Sequence, residues 1–270
     1  MSDINYSFQH IDFSLFQAYY YTLVLQVSSK SFTYAVFYED RLMALAPNCN
    51  LKELAEPKDM ADELSASFKD IVVGIDADAF TLVPVELYQQ ERVTEYARFL
   101  DVKTDERVFA QQLDAENFIV YKTSDYVAAA IEKFDFNRSV YGGKGWINAI
   151  ADKLASDKAI YVNIEDNEAE MMHFNDGKIR LYNKFNFNTA DDLVYSVSLV
   201  FRETGLDQKD VQLSLSGTSA QMEEYRSRLT DFFSHTETNT LKIAELPTEL
   251  NSDKILKLSA LLLCVSSEAR

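Results

Sequence analysis

The first strong pattern along the chain is the β-rich apolar run Tyr20 to Val27, which passes through Ser28-Ser29-Lys30-Ser31 into a second run, Phe32 to Tyr38. These two runs predict a hairpin. After Glu39-Asp40, Leu42 to Ala46 supplies a third strand. The stretch Leu51 to Phe68 carries Leu54, Met60, Leu64 and Phe68 at spacings suited to a helix. Pro57 fits the first turn of a helix starting near Glu56, where the N–H it lacks has no intrahelical partner. Asp70 to Ile75, DIVVGI, then reads as a buried strand.

The same order returns in the second half. Ala159 to Glu165 and Ala169 to Phe174 are strands, and the turn Asn175-Asp176-Gly177 leads into a third, Lys178 to Phe187. Thr189 caps a predicted helix from Ala190 to Thr204, with Asp191 and Asp192 in the first turn, where carboxylates suit the positive end of the helix dipole. Gly205 closes that helix. Val211 to Leu215 is a buried strand that enters Ser216-Gly217-Thr218-Ser219 and a helix from Ala220 to Phe232. Both halves thus read strand, strand, strand, helix, strand, helix, a repeat long enough to form a lobe.

Between the copies, Arg107 to Leu113 and Asn117 to Lys122 form an inserted hairpin. Tyr126 to Phe134 and Trp146 to Leu154 form two helices. The boundary is expected near Ser156-Asp157, giving lobes of residues 1–156 and 157–270. Leu256 to Val265 reads as a final core helix and Ser266 to Arg270 as a mobile end.

Composition narrows the class. With 18 Phe and 15 Tyr but only 7 Gly and 4 Pro in 270 residues, the chain can fill a packed interior and is not a low-complexity sequence. No apolar run approaches the roughly 20 residues that span a bilayer, and the start has neither a basic nor an apolar leader region, so a cytoplasmic protein is expected. Cys49 and Cys264 read as free thiols. A net charge of −17, with the 26 Lys and Arg scattered, argues against nucleic-acid and anionic-membrane partners.

The repeated topology resembles the actin-like ATPase fold. Asn183, Phe185, Asn186, Phe187, Asp191, Asp192, Leu193 and Tyr195, followed by Leu213-Ser214-Leu215-Ser216-Gly217, are similar to an uncharacterised bacterial family of that fold. Val72 to Leu87, VVGIDADAFTLVPVEL, also resembles pilus-assembly and secretion-platform members of the superfamily. The resemblance implies an α/β protein of two duplicated ribonuclease-H-like lobes with mixed sheets, facing a nucleotide cleft. It implies little chemistry, because one fold hosts many functions.

Active members of the superfamily place an Asp-x-Gly-Thr-like turn between the first two strands, where amides wrap phosphate and the carboxylate holds hydrated Mg²⁺. The corresponding turn here is Gln26-Val27-Ser28-Ser29-Lys30, with Gln26 for the Asp and Ser28 for the Gly. The second phosphate turn corresponds to Asn163-Ile164-Glu165-Asp166-Asn167-Glu168, which has no glycine and gathers three carboxylates that repel phosphate. Those acids suit a solvated turn, or a Ca²⁺ or Mg²⁺ site as the alternative. Ser216-Gly217-Thr218-Ser219 retains the strand-to-helix form whose amides meet an anion or adenosine, although such a turn also serves as a helix cap.

Other constellations add little. Gly142-Gly143-Lys144-Gly145-Trp146 lacks the spacing and ending of a phosphate-binding P-loop and reads as a turn. His10, His173 and His235 share no ligand spacing. The aromatic start, with Phe8, Phe13, Phe16 and Tyr19 to Tyr21, reads first as core and otherwise as a partner-binding patch. The favoured function is therefore a non-catalytic interaction or scaffold protein that binds another protein. The alternative is a nucleotide binder or slow ATPase that holds ATP and Mg²⁺ through Ser28, Ser29, Lys30, Gly217, Thr218 and Ser219.

Overall fold

The computed structural model of the protein describes residues 5–134 and 139–265; the expected mobile end, Ser266 to Arg270, lies outside them. The described part of Met1–Gly145, together with that of Ala260–Arg270, clusters as one compact unit, and Trp146–Ser259 clusters as a second.

In the first unit, strand β1 (Phe8–Gln9) precedes the meander β2 (Thr22–Val27), β3 (Ser31–Tyr38) and β4 (Arg41–Asn50). Helices α1 (Lys52–Ala55) and α2 (Ala61–Ser65) lead into β5 (Asp70–Ile75). Next come β6 (Ala79–Pro84), α3 (Val93–Tyr96), β7 (Glu106–Gln112), β8 (Asn117–Ser124), α4 (Asp125–Ile131) and β9 (Ser139–Tyr141). The main sheet has the order β1-β4-β3-β2-β5-β9, antiparallel through the meander and parallel from β2 to β9.

The single helix expected over Leu51 to Phe68 is two short ones. Glu56 precedes Pro57, and the proline ring disfavours α-helical backbone at the residue before it. Glu56 accordingly takes φ −133 and ψ 79 and ends α1. The Glu53 carboxylate then bridges the break, accepting from the amides of Lys58 at 2.8 Å and Met60 at 3.1 Å.

The expected hairpin of β7 and β8 gains a third strand, β6, so the insertion is a sheet of order β6-β8-β7. It has its own small core around Val83, Leu100 and Val120.

Helix α5 (Lys144–Lys153) leads to the meander β10 (Ala159–Glu165), β11 (Glu168–Asn175) and β12 (Lys178–Asn186). The turn before β12 has Asp176 at φ 50 and Gly177 at φ 72, the left-handed pair of a tight hairpin turn. Helix α6 (Ala190–Thr204) carries a complete capping box between Thr189 and Asp192, and Gly205 ends it at φ 71. Strand β13 (Gln212–Ser216), helix α7 (Met222–Thr230), strand β14 (Thr236–Thr238) and helix α8 (Leu256–Ala260) follow. The expected final helix thus stops at Ala260 and continues as a 3₁₀ turn, Leu261–Cys264.

The second sheet runs β12-β11-β10-β13-β14. Numbered within each unit from the start of the meander, both main sheets have the order third, second, first, fourth, fifth, with an antiparallel meander and parallel later strands. The compact units divide at Gly145, before the sequence repeat restarts at Ala159, because most of α5 belongs to the second unit, and they divide again at Ser259, where the following described residues pack with the first unit. Buried Leu261 lies against Gly74 of β5, where a Cβ would come within 2.6 Å of its Cδ1.

Candidate functional site

In the second unit the two-residue period of the strands sorts chemistry by face. Ile160, Val162 and Ile164 of β10 point into an apolar core shared with Leu193, Val197 and Phe201 of α6 and Leu229 of α7. Asn163 and Glu165 alternate with them and occupy the other face. There Asn163 pairs in register with Glu170 and with Ser216, and Glu165 pairs with Glu168.

Polar side chains occupy one end of that face, beside buried Tyr161 and Met172. The Ser216 hydroxyl donates to Asn163 Oδ1 at 3.1 Å, and Asn163 Nδ2 donates to Glu165 Oε1 at 3.1 Å. Lys257 of α8, whose side chain is 4% exposed, places its ammonium 2.8 Å from Glu170 Oε1 and 3.6 Å from Glu165 Oε2. The Tyr182 hydroxyl donates to Glu170 Oε2 at 2.8 Å, and Lys184 Nζ lies 3.1 Å from Glu168 Oε2. The acids considered as a metal site therefore meet two lysines, while Asp166 takes φ 50 in the exposed turn. Among the described residues no group of three or more His, Cys, Asp or Glu is placed to hold a metal ion.

The Gly217-Thr218-Ser219 turn packs onto the end of β10. Gly217 has φ 132, and a Cβ on it would sit 2.6 Å from the Ile164 nitrogen and closer still to its carbonyl oxygen. Its amide donates to the Asp253 carbonyl at 3.0 Å, and the Ser219 amide donates to the Ile164 carbonyl at 3.3 Å. Thr218 is exposed between them.

In the first unit, the turn between β2 and β3 is closed by one serine. The Ser28 hydroxyl accepts from the amides of Lys30 at 3.3 Å and Ser31 at 3.2 Å and donates to the Ser31 carbonyl at 2.9 Å. Ser29 and Lys30 are exposed at the tip. Gln26, just before this turn, donates from Nε2 to Asp76 Oδ2 at 3.0 Å. The six residues singled out in the sequence thus form two groups, Ser28 to Lys30 in one unit and Gly217 to Ser219 in the other.

Sequence reasoning missed Lys257, Glu170 and Tyr182. The local signal was a lone cation inside the apolar run Ile255-Leu256-Lys257-Leu258, which calls for a buried partner.

A model of the protein family of unknown function DUF3822 matches residues 10–236. The chain belongs to that family. Among solved structures it is similar to a protein of actin-like ATPase fold and unknown function from Bacteroides thetaiotaomicron VPI-5482, with 18% identity, a TM-score of 0.77, and 93% of this chain and 99% of that one covered. It is also similar to a chain of the PilM–PilN type IV pilus biogenesis complex, with 14% identity, a TM-score of 0.61, and 92% and 98% covered. The cytoplasmic domain of EpsL, from the type II secretion system of Vibrio cholerae, aligns with 13% identity, a TM-score of 0.49, and 92% and 97% covered. No curated protein matches the chain. At such identities likeness shows fold alone, and the fold of this DUF3822 protein is the actin-like ATPase fold, in keeping with the resemblance read from the sequence.

The cysteines are poor nucleophiles. Burial pushes the Cys49 and Cys264 thiols each up to about 11. Only the thiolate reacts with iodoacetamide. At pH 8 the folded protein should therefore label about a hundredfold more slowly than the denatured chain, given ordinary values near 8.5 to 9. Labelling at equal rates in both states would show the thiols to be unperturbed.

Proposed function

We propose that this DUF3822 protein is a non-catalytic interaction or scaffold protein in which the nucleotide site of the actin-like fold has degenerated, and that its ligand is another protein. The observation that carries the reading is the internal use of the turn amides. A phosphate needs several converging N–H donors. The amides of Lys30 and Ser31 are directed to Ser28, that of Gly217 to Asp253, and that of Ser219 to Ile164.

The carboxylates that would hold Mg²⁺ in an active relative fit no better. Gln26 stands at the first such position and Asn163 heads the second turn, while Glu165 beyond it faces the ammonium of Lys257. The repeated strand order supports reading the two halves as duplicated ribonuclease-H-like lobes. PilM, whose fold this chain shares at a TM-score of 0.61, was solved in a complex with PilN, which favours a protein as ligand here too. Among the described residues no helix is long and apolar enough to cross a membrane, and a cytoplasmic location is part of the proposal.

Thermal unfolding with Mg²⁺ and millimolar ATP, ADP or GTP tests the reading. A ligand that binds the folded state at about 100 times its dissociation constant adds roughly 2.7 kcal/mol and moves the midpoint by several degrees. No saturable rise is expected with any of the three. A saturable rise that Thr218→Glu removes would overturn the proposal and restore the slow ATPase as the leading function.

A further inference from the structure

The aromatic start of the chain is split by the fold. Phe13 and Tyr21 turn inward with their rings stacked at 5.9 Å, and Tyr6 continues the contact from Phe13 to buried Tyr34. Ile11 and Phe16 are instead each 94% exposed, and Tyr19 and Tyr20 are more than half exposed. Core packing therefore accounts for only part of this segment.

Strand register gathers the exposed residues at one end of the main sheet. The His10 amide donates to the Met43 carbonyl at 2.8 Å near the start of β4, and Thr22 at the start of β2 pairs with Phe37 near the end of β3. The Lys69 amide donates to the carbonyls of Ala18 and Tyr21, so the 3₁₀ turn Leu15–Tyr20 closes that end beside the start of β5. Residues three apart eclipse in such a turn, which projects Phe16 and Tyr19 from the same side. Tyr38, partly exposed, meets Tyr21 edge-on at 6.1 Å.

Apolar side chains exposed singly are ordinary, but a gathered set marks an interaction site. The charges at this sheet end select the partner. Glu39 and Asp40 in the β3–β4 turn, Asp70 at the start of β5 and Asp12, 3.6 Å from His10, outnumber Arg41 and Lys69 here, in a chain of net charge −17. Like charges oppose a second copy docking through the same patch, and acids oppose an anionic lipid surface.

We propose that this sheet end, centred on Ile11, Phe16 and Tyr19, is a docking surface for a protein segment that carries apolar side chains flanked by lysine or arginine. The proposal rests on the reading of the protein as an interaction protein and specifies its surface and the chemistry of its partner. Phe16 and Tyr19 are the anchors, and the acids supply orientation and speed of encounter.

The test titrates the full chain, at low salt, into a labelled leucine–lysine peptide of helical spacing. A leucine–glutamate peptide of the same pattern and mixed phosphatidylcholine–phosphatidylglycerol vesicles serve as comparisons. Phe16→Glu and the Phe16→Glu/Tyr19→Glu double variant are run beside the wild type, with folding checked by circular dichroism; Phe16→Glu alone suffices if the double variant is misfolded. Both variants add negative charge, so diffuse electrostatic attraction would strengthen their binding. The expected result is the opposite, an affinity for the lysine peptide about thirtyfold weaker, as when an interface anchor is lost.

Equal or tighter binding by folded variants overturns the proposal, as does failure of the wild type to bind the lysine peptide or an equal affinity for the glutamate peptide. Patch-dependent vesicle binding would assign the surface to lipid. A concentration-dependent dimer lost in Phe16→Glu would assign it to a second copy. Nucleotide-induced stabilisation bears on the broader reading alone and leaves these outcomes unchanged.

Discussion

Lys257→Met is expected to destabilise the protein by about 3–5 kcal/mol, the usual effect of removing one partner from a buried ion pair. The methionine keeps the length and apolar stem of the side chain, so the loss isolates the charge. Glu170, almost fully buried with the Lys257 ammonium 2.8 Å from one oxygen and the Tyr182 hydroxyl 2.8 Å from the other, would keep only the tyrosine of these two partners. Urea unfolding at neutral pH measures the change. Adding Glu170→Gln to the variant should recover part of the loss, because it removes the uncompensated charge, and a double-mutant cycle reads the coupling directly. A wild-type midpoint for Lys257→Met would show that the network carries no net stability.

Gly217→Ala is expected to cost about 2–6 kcal/mol, combining overpacking with backbone strain at a φ that L-residues avoid. The added methyl would collide with the backbone of Ile164, which belongs to a central strand and has little room to move. Thr218→Ala, one residue further and exposed, should change stability by less than about 0.5 kcal/mol. Thermal unfolding of the pair separates two reasons for a glycine in this turn. A large loss at 217 alone points to packing against Ile164, while near-neutral effects at both would return the glycine to a ligand role. For the same reason, nucleotide contact at this turn is better tested through Thr218 than through Gly217.

Much of the architecture was legible because it is written in local pattern. The strands Asp70–Ile75 and Ala159–Glu165 and the helix Ala190–Thr204 occur over the residues their periodicity and caps indicate. Asp176-Gly177 dictates its hairpin through backbone conformations few other pairs adopt. The split of the helix after Leu51 was also written locally, in the restriction that Pro57 places on Glu56, but was outweighed by apolar spacing. Strand β6 escaped because Ala79 to Thr81 and Leu82 are all partly buried, without the alternation that marks a strand face.

The chemistry of the candidate site was less legible. The acids of the β10–β11 turn were visible, but what neutralises Glu170 is a lysine 87 residues further on. No local rule links the two. The roles of Gly217 and Ser28 likewise depend on where their neighbours' donors point, since a turn that presents its amides to a ligand and one that uses them internally share the same residues. In the aromatic start, sequence marked the segment, but only its packing between β1 and β2 separates inward Phe13 and Tyr21 from outward Ile11 and Phe16.

The return of the segment after Ser259 to the first unit also sets an order of assembly during synthesis. Residues through Gly145 leave the ribosome first, yet the Leu261 side chain that lies against Gly74 does not reach them until all of Trp146–Ser259 has been made. At typical elongation rates that interval is on the order of ten seconds. Trp146–Ser259 is contiguous in sequence and needs no later residue, so the part of the protein translated earliest is the part that depends on the latest for the Gly74–Leu261 contact.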